Sequence, residues 1–270
     1  AECEANFLPL LQQLLAQPVV DEQCALLCLH LLERLSVALT LQTKLTDAQH
    51  WAQKLIALAQ RCSSREFEAR GIYQWGCALD ADGKKVAARQ KFEDALLLAR
   101  QVEQPRLLGS ILLELGITYL GDSNSHVATY LQEALTIQRT LGNRTAEQRI
   151  LLYLGINCTQ MEEYQAGRTY QLEALNLLSI TGNRPLEMRI VGGLGYTLSM
   201  LGDYPAALEY LASARRISQE IGWRLQESYT LHNLCCLQRK LGNFDLAVDY
   251  GQESLRVALQ QASEDAANWA

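Results

Sequence analysis

The sequence predicts an all-α fold, a right-handed superhelix of stacked antiparallel helix pairs, and three observations predict it. The first is a period of forty residues: Arg144 to Asn183, Arg184 to Trp223 and Arg224 to Ser263 carry the same chemistry at the same offsets. Leu154-Gly155, Leu194-Gly195 and Leu234-Cys235 coincide, then Tyr164, Tyr204 and Phe244, then Ala174, Ala214 and Ser254. A fixed period of this size marks stacked supersecondary units that share no single core. The second is the spacing of apolar residues within a unit, which recur three and four apart as one face of a helix requires. The third is composition: 49% hydrophobic residues with only 5 Pro in 270 suit a nearly continuous helical chain.

In chain order, residues 1–20 read as one helix, from Cys3 to Gln17, capping the array or left over from a preceding unit. Residues 21–63 form a degenerate pair in which Leu32, Leu35, Ser36, Leu39, Trp51 and Leu55 fit the pattern with a shortened turn. Residues 64–263 hold five repeats. In the first, Trp75-Gly76, Phe92 and Ala95 fit without a gap; in the second, Leu115-Gly116 and Ala134 fit once a residue is dropped from the turn. Residues 264–270 are a tail. The segment Met188 to Gln219 shows the logic of one unit. Val191, Leu194 and Leu198 make the first apolar face, Gly202 suits a left-handed helix end and Asp203 the next start. Pro205 sits in the first turn of the second helix, where its missing N–H costs nothing. Gly195 and Ala207 are small because two helices cross there.

From Glu147 to Ser254 the order Leu-Gly, Gly-Asp-Tyr or Gly-Asn-Phe, Ala, an aromatic or Leu, then Ala resembles the tetratricopeptide repeat. The joints Leu141-Gly142-Asn143-Arg144 and Thr181-Gly182-Asn183-Arg184 look like its forty-residue variant. More weakly, the run Leu31 to Leu39, the segment Lys44 to Ala52 and the Leu-Gly-Asn-Arg joint resemble the C-terminal sensor arrays of bacterial signal-transduction ATPases with numerous domains. That resemblance implies a nucleotide-binding switch elsewhere in a larger protein. These residues contain no Gly-rich loop followed by Lys-Ser or Lys-Thr. With Ala1-Glu2-Cys3 in place of an initiator Met, the expectation is a domain excised from such a parent.

A formal charge of −6 and the lack of any dense Lys/Arg run argue against direct nucleic-acid binding. The apolar stretches are too short to cross a bilayer and no signal peptide is recognisable, so a cytoplasmic protein is expected. The eight Cys form no zinc-like set, and Cys77, Cys158, Cys235 and Cys236 lie at or near small-residue positions where a thiol packs well. No catalytic constellation is assembled by His30, His50, His126 or His232. No enzyme activity, cofactor or metal is therefore expected of this chain; a phosphatase-type or accessory role is the remaining catalytic alternative.

If the first helix of each pair lines an inner groove, the positions facing it include Arg70 and Tyr73, then Arg149, Arg189, Gly192 and Tyr196, then Tyr229, His232 and Arg239. Leu113, Leu152 and Ser199 fall in the same register. Arginine beside aromatic rings in a net acidic chain points to a carboxylate or phosphate partner: a protein or peptide segment, or a small anionic ligand. The plain alternative is that these arginines pair with Glu147, Glu187 and Glu227 or are simply solvated. Gly192, inside a helix, serves either the approach of a ligand backbone or close helix packing. The Lys and Asn positions of the family's peptide clamp hold Tyr73, Leu113, Leu152, Gly192 and His232 instead, which speaks against a chaperone-tail receptor. The functional expectation is a binding or sensor module of a larger bacterial regulator, with a constitutive scaffold as the alternative.

Overall fold

The computed structural model describes residues 22–122 and 126–268, and these are helical throughout, without strands. The helices are α1 (Glu22–Leu41), α2 (Leu45–Arg61), α3 (Arg65–Ala81), α4 (Lys85–Ala99), α5 (Pro105–Thr118), α6 (His126–Thr140), α7 (Arg144–Gln160), α8 (Tyr164–Asn176), the single turn α9 (Leu178–Thr181), α10 (Arg184–Leu201), α11 (Tyr204–Glu220), α12 (Arg224–Lys240) and α13 (Phe244–Asn268). The expected N-terminal helix at 1–20 lies outside the described residues. At the other end α13 runs on to Asn268, so the backbone from 264, read as a tail, continues the helix. The chain divides into two compact units, residues 1–137 and 138–270.

The forty-residue register appears most directly in the backbone. Left-handed residues stand inside the pairs at Thr43, Gly83, Gly121, Glu162, Gly202 and Gly242, and between pairs at Ser63, Gly142, Gly182 and Gly222. The turn after α1, Gln42-Thr43-Lys44, is as long as Asp82-Gly83-Lys84, so the shortened turn expected there is absent. What differs is chemistry: a threonine occupies the place where a glycine would be free of Cβ strain. A β-branched residue at φ 59° is held in the left-handed region at a penalty of about 1–2 kcal/mol. Thr43→Gly is accordingly expected to raise stability by about 1 kcal/mol, the gain in strain being offset in part by the looser unfolded chain. A urea melt in which this variant is no more stable than the parent would show that the turn is not strained.

The end of α5, near Gly121, is held by one arginine of α4. The Arg89 guanidinium lies 3.9 Å from the Tyr119 ring centroid, donates to the Thr118 carbonyl and pairs with Asp122 at 2.6 Å. The Tyr119 hydroxyl donates to Glu93, and this bond, with burial, pushes the phenol up to about 12. These contacts tie α4 to the end of α5 and the residues that follow it.

In four of the pairs the crossing is set by a glycine of the first helix and the large side chain opposite. A Cβ on Gly76 would fall 2.6 Å from Phe92, one on Gly116 2.5 Å from Leu131, and one on Gly195 2.7 Å from Leu211. Gly155 faces Gln171 at 2.7 Å. In the last pair the roles exchange: Cys235 stands on the first helix and Gly251 on the second, with 3.5 Å between the sulfur and a Cβ placed on Gly251. Around these crossings Leu55, Phe92, Leu112, Leu131, Leu151 and Leu211 are almost completely buried. Burying a side chain of this kind contributes about 1.5–3 kcal/mol, and the short helices depend on it, because isolated helices of this length are marginal.

Candidate functional site

In the second unit the three first helices, α7, α10 and α12, share a distinctive distribution of charge. Their carboxylates occur only in the first turn, as Glu147, Glu187 and Glu227, where the helix dipole favours them. Each is engaged locally. Glu147, 3% exposed, accepts from Arg139 at 2.9 Å and from Arg144 at 2.7 Å. Burial by itself would raise the Glu147 carboxyl, but the two arginines hold it below its ordinary value. Glu187 accepts from Arg184 at 2.7 Å and Glu227 from the Gln219 amide at 2.6 Å. The partners the structure gives these acids are Arg139, Arg144, Arg184 and Gln219. Beyond the first turns these three helices carry Arg149, Arg189, His232, Arg239 and Lys240 and no Asp or Glu.

Arg189 is held by a ring. Its Nη1 donates to the Tyr153 hydroxyl at 3.0 Å and its guanidinium carbon stands 4.8 Å from the Tyr153 ring centroid. This presents a guanidinium with a fixed plane and, among the described residues, no carboxylate partner, leaving further N–H donors for a ligand. Tyr153 was missed by the groove register because it lies thirty-six residues before Arg189, across a joint between pairs. The aromatic one turn after Arg149 was the available signal. Tyr196 is 40% and Tyr229 57% exposed, with Met200 and Leu225 also exposed. His232 is exposed, its Nε2 3.6 Å from the Cys236 sulfur, and Arg239 is exposed. Lys240 reaches the Ser199 carbonyl at 3.3 Å and so leans onto α10.

Three positions of the sequence-derived groove do not face solvent. Leu113 and Leu152 are 3% and 0% exposed and belong to the core, and Ser199 is 7% exposed. The exposed strip of these first helices is narrower than the register assumed. Gly192 is half-buried, and a Cβ there would meet only the Ala214 methyl, at an ordinary 3.5 Å. Close packing therefore does not demand glycine at this position. Gly192→Ala is expected to stabilise the protein by about 1 kcal/mol through helix propensity. A thermal melt showing a loss would mean that the crossing is tighter than its geometry indicates.

In the first unit Arg70 and Tyr73 line a hollow of about 330 Å³ together with Glu33, Gln74, Arg106 and Ser110. Arg70 bridges helices: Nη1 lies 3.1 Å from Glu33 of α1 and Nη2 2.7 Å from Glu66 of its own helix. The predicted binding residues therefore fall into two sets, one on each unit. Among the described residues no group of three or more His, Cys, Asp or Glu is placed to hold a metal ion. No helix among them is long and apolar enough to cross a membrane. Burial lifts the Cys158 thiol, with Glu163 adding to the effect, to about 11, so that thiol stays protonated.

The family model described as the tetratricopeptide repeat matches residues 147–220. That segment consists of tetratricopeptide repeats. Solved structures extend the likeness in fold to nearly the whole chain. The signal transduction ATPase with numerous domains from Pyrococcus horikoshii, which has a tetratricopeptide repeat sensor, superposes with a TM-score of 0.71 at 18% identity over 96% of this chain. The chain spans 40% of that protein. The apo form of RapI superposes with a TM-score of 0.70 at 12% identity, over 91% of this chain and 87% of that one. A Rap protein complexed with Competence and Sporulation Factor gives 0.66 at 14% identity, over 87% and 78% of the two chains. No curated protein matches the chain in sequence. The fold class is accordingly the all-α tetratricopeptide type, built from helix pairs.

Proposed function

We propose that this chain is a non-catalytic binding module that recognises an acidic protein segment on the first-helix face of its second unit, as the sensor part of a larger cytoplasmic signalling regulator. One observation carries the reading: past their first turns, every charged side chain of α7, α10 and α12 is cationic, and Tyr196, Met200 and Tyr229 are exposed on the same helices. A peptide with alternating acidic and apolar residues satisfies both halves of that surface, with charge-assisted bonds to Arg189 and apolar contact along the rings. Electrostatic complementarity of this kind chiefly sets specificity and association rate. The likeness in fold to the sensor-bearing ATPase and to the peptide-complexed Rap protein supports the regulatory part of the proposal.

Fluorescence anisotropy with a peptide array tests the reading, using acidic–apolar sequences against their neutral and basic counterparts. The acidic set is expected to bind, with affinity falling as salt rises. Equal binding of the basic set, or cross-linking of bound peptide to α8, α11 or α13 alone, would refute it.

A further inference from the structure

The hollow of the first unit has a charge pattern quite unlike the uniformly basic face of the second. It is formed where α1, α3 and the first turn of α5 come together. On one side Glu33 and Glu66 share the single guanidinium of Arg70, two carboxylates to one cation, and Arg70 Nε is buried without a partner. That triad carries a net negative charge, and Glu33 keeps lone pairs that Arg70 does not use. From α5 comes Arg106, exposed and with no carboxylate partner among the described residues. Gln104 makes no side-chain cap on α5; Pro105 has no N–H and Leu108 donates to the Gln104 carbonyl, which leaves the N–H groups of Arg106 and Leu107 open to an anion. The hollow thus offers an anionic site and a cationic site within one small volume, with Tyr73 and Leu107 as apolar lining.

We propose that this hollow binds a small zwitterion, a free α-amino acid, with its ammonium group on Glu33 and its carboxylate on Arg106. A ligand that carries both charges completes both partial sets at once. An anion alone would sit close to the Glu33–Glu66 pair, which the one charge of Arg70 compensates only by half, and a cation alone close to Arg106. The volume of about 330 Å³ lies at the small end of ligand sites, which run from roughly 300 to 1,000 Å³. Because its walls come from α1, α3 and α5, the ligand would tie three helices of the first unit together. The proposal uses no residue of the second unit and stands apart from the acidic-segment reading.

Calorimetry of the full chain with a panel of the standard free amino acids at millimolar concentration tests it, with melting temperature as a second readout. At least one side-chain class is expected to bind and to raise the melting temperature. Its N-acetyl derivative, lacking the ammonium, and its amide, lacking the carboxylate, are expected to fail. Arg106→Ala is expected to weaken binding about tenfold or more, and Glu33→Gln likewise; since Glu33 also holds Arg70, the exposed Arg106 carries the decision. The Arg149→Ala/Arg189→Ala protein is expected to bind the amino acid unchanged. No binding by any member of the panel, full binding of the N-acetyl form, or undiminished binding by Arg106→Ala would each overturn the proposal.

Discussion

Gly195→Leu is expected to destabilise the protein by about 1–3 kcal/mol, read as a lower midpoint in a urea melt. The hydrogen that now faces α11 leaves room for Leu211 and for nothing else. A Cβ there would stand 2.7 Å from Leu211 Cγ and 3.1 Å from the Leu211 backbone nitrogen. The leucine terminus could rotate away, but the backbone nitrogen belongs to a helix that other contacts hold, through Ala207, Ala214 and Ile217, all completely buried. Relief therefore requires the two helices to separate, which loosens each of those contacts. Gly192→Ala on the same helix is the internal control, since its methyl meets only ordinary contact. If Gly195→Leu melts within error of the parent, the crossing is not where the helices are tightest.

Replacing Arg149 and Arg189 together by alanine is expected to weaken binding of an acidic–apolar peptide at least tenfold, about 1.4 kcal/mol, with little change in melting temperature. The two positions are equivalent in adjacent repeats, and Arg189 is already oriented by Tyr153. A guanidinium with its plane set loses less entropy on meeting a carboxylate, and charge-assisted hydrogen bonds contribute about 1.5–3 kcal/mol each. Arg189 rests on a single part-buried phenol, Tyr153, so its removal costs the fold little. Tyr153→Phe separates the two contributions: it keeps the ring under the guanidinium and removes the hydroxyl acceptor. Unchanged affinity in the double variant would remove the second unit's first-helix face from consideration.

The architecture was legible because its signals are local. Leu194-Gly195 followed by the turn Gly202-Asp203-Tyr204 announces helix, crossing and helix end within one stretch of chain, and the left-handed residues of the turns keep the spacing. The turn at Thr43 was misread as shortened, since a threonine there conceals a backbone that glycine would have advertised. The site was only partly legible. Arg189 and Tyr196 could be placed by register, but the partner of Arg189 is a tyrosine in the preceding repeat, and no periodicity says which neighbour a long side chain will choose. Leu113 and Leu152 fell to the core because exposure on a helix between two neighbours is decided by a few tens of degrees of rotation, finer than a count of three and four residues resolves. The hollow around Arg70 was invisible for a further reason. Its charge balance depends on Glu33, Glu66 and Arg106, which come from three different helices.

The exchange of roles between Gly195 with Leu211 and Cys235 with Gly251 limits how such a chain can be reshuffled. Grafting α12 in place of α10 would set the Cys235 side chain against Leu211; the reverse graft would set Gly195 against Gly251 and leave a void. Either hybrid is a mismatch, although each parent helix is sound. The heritable module in this array is therefore the matched couple, and duplication or recombination that cuts between its two members yields chains that cannot close their seams.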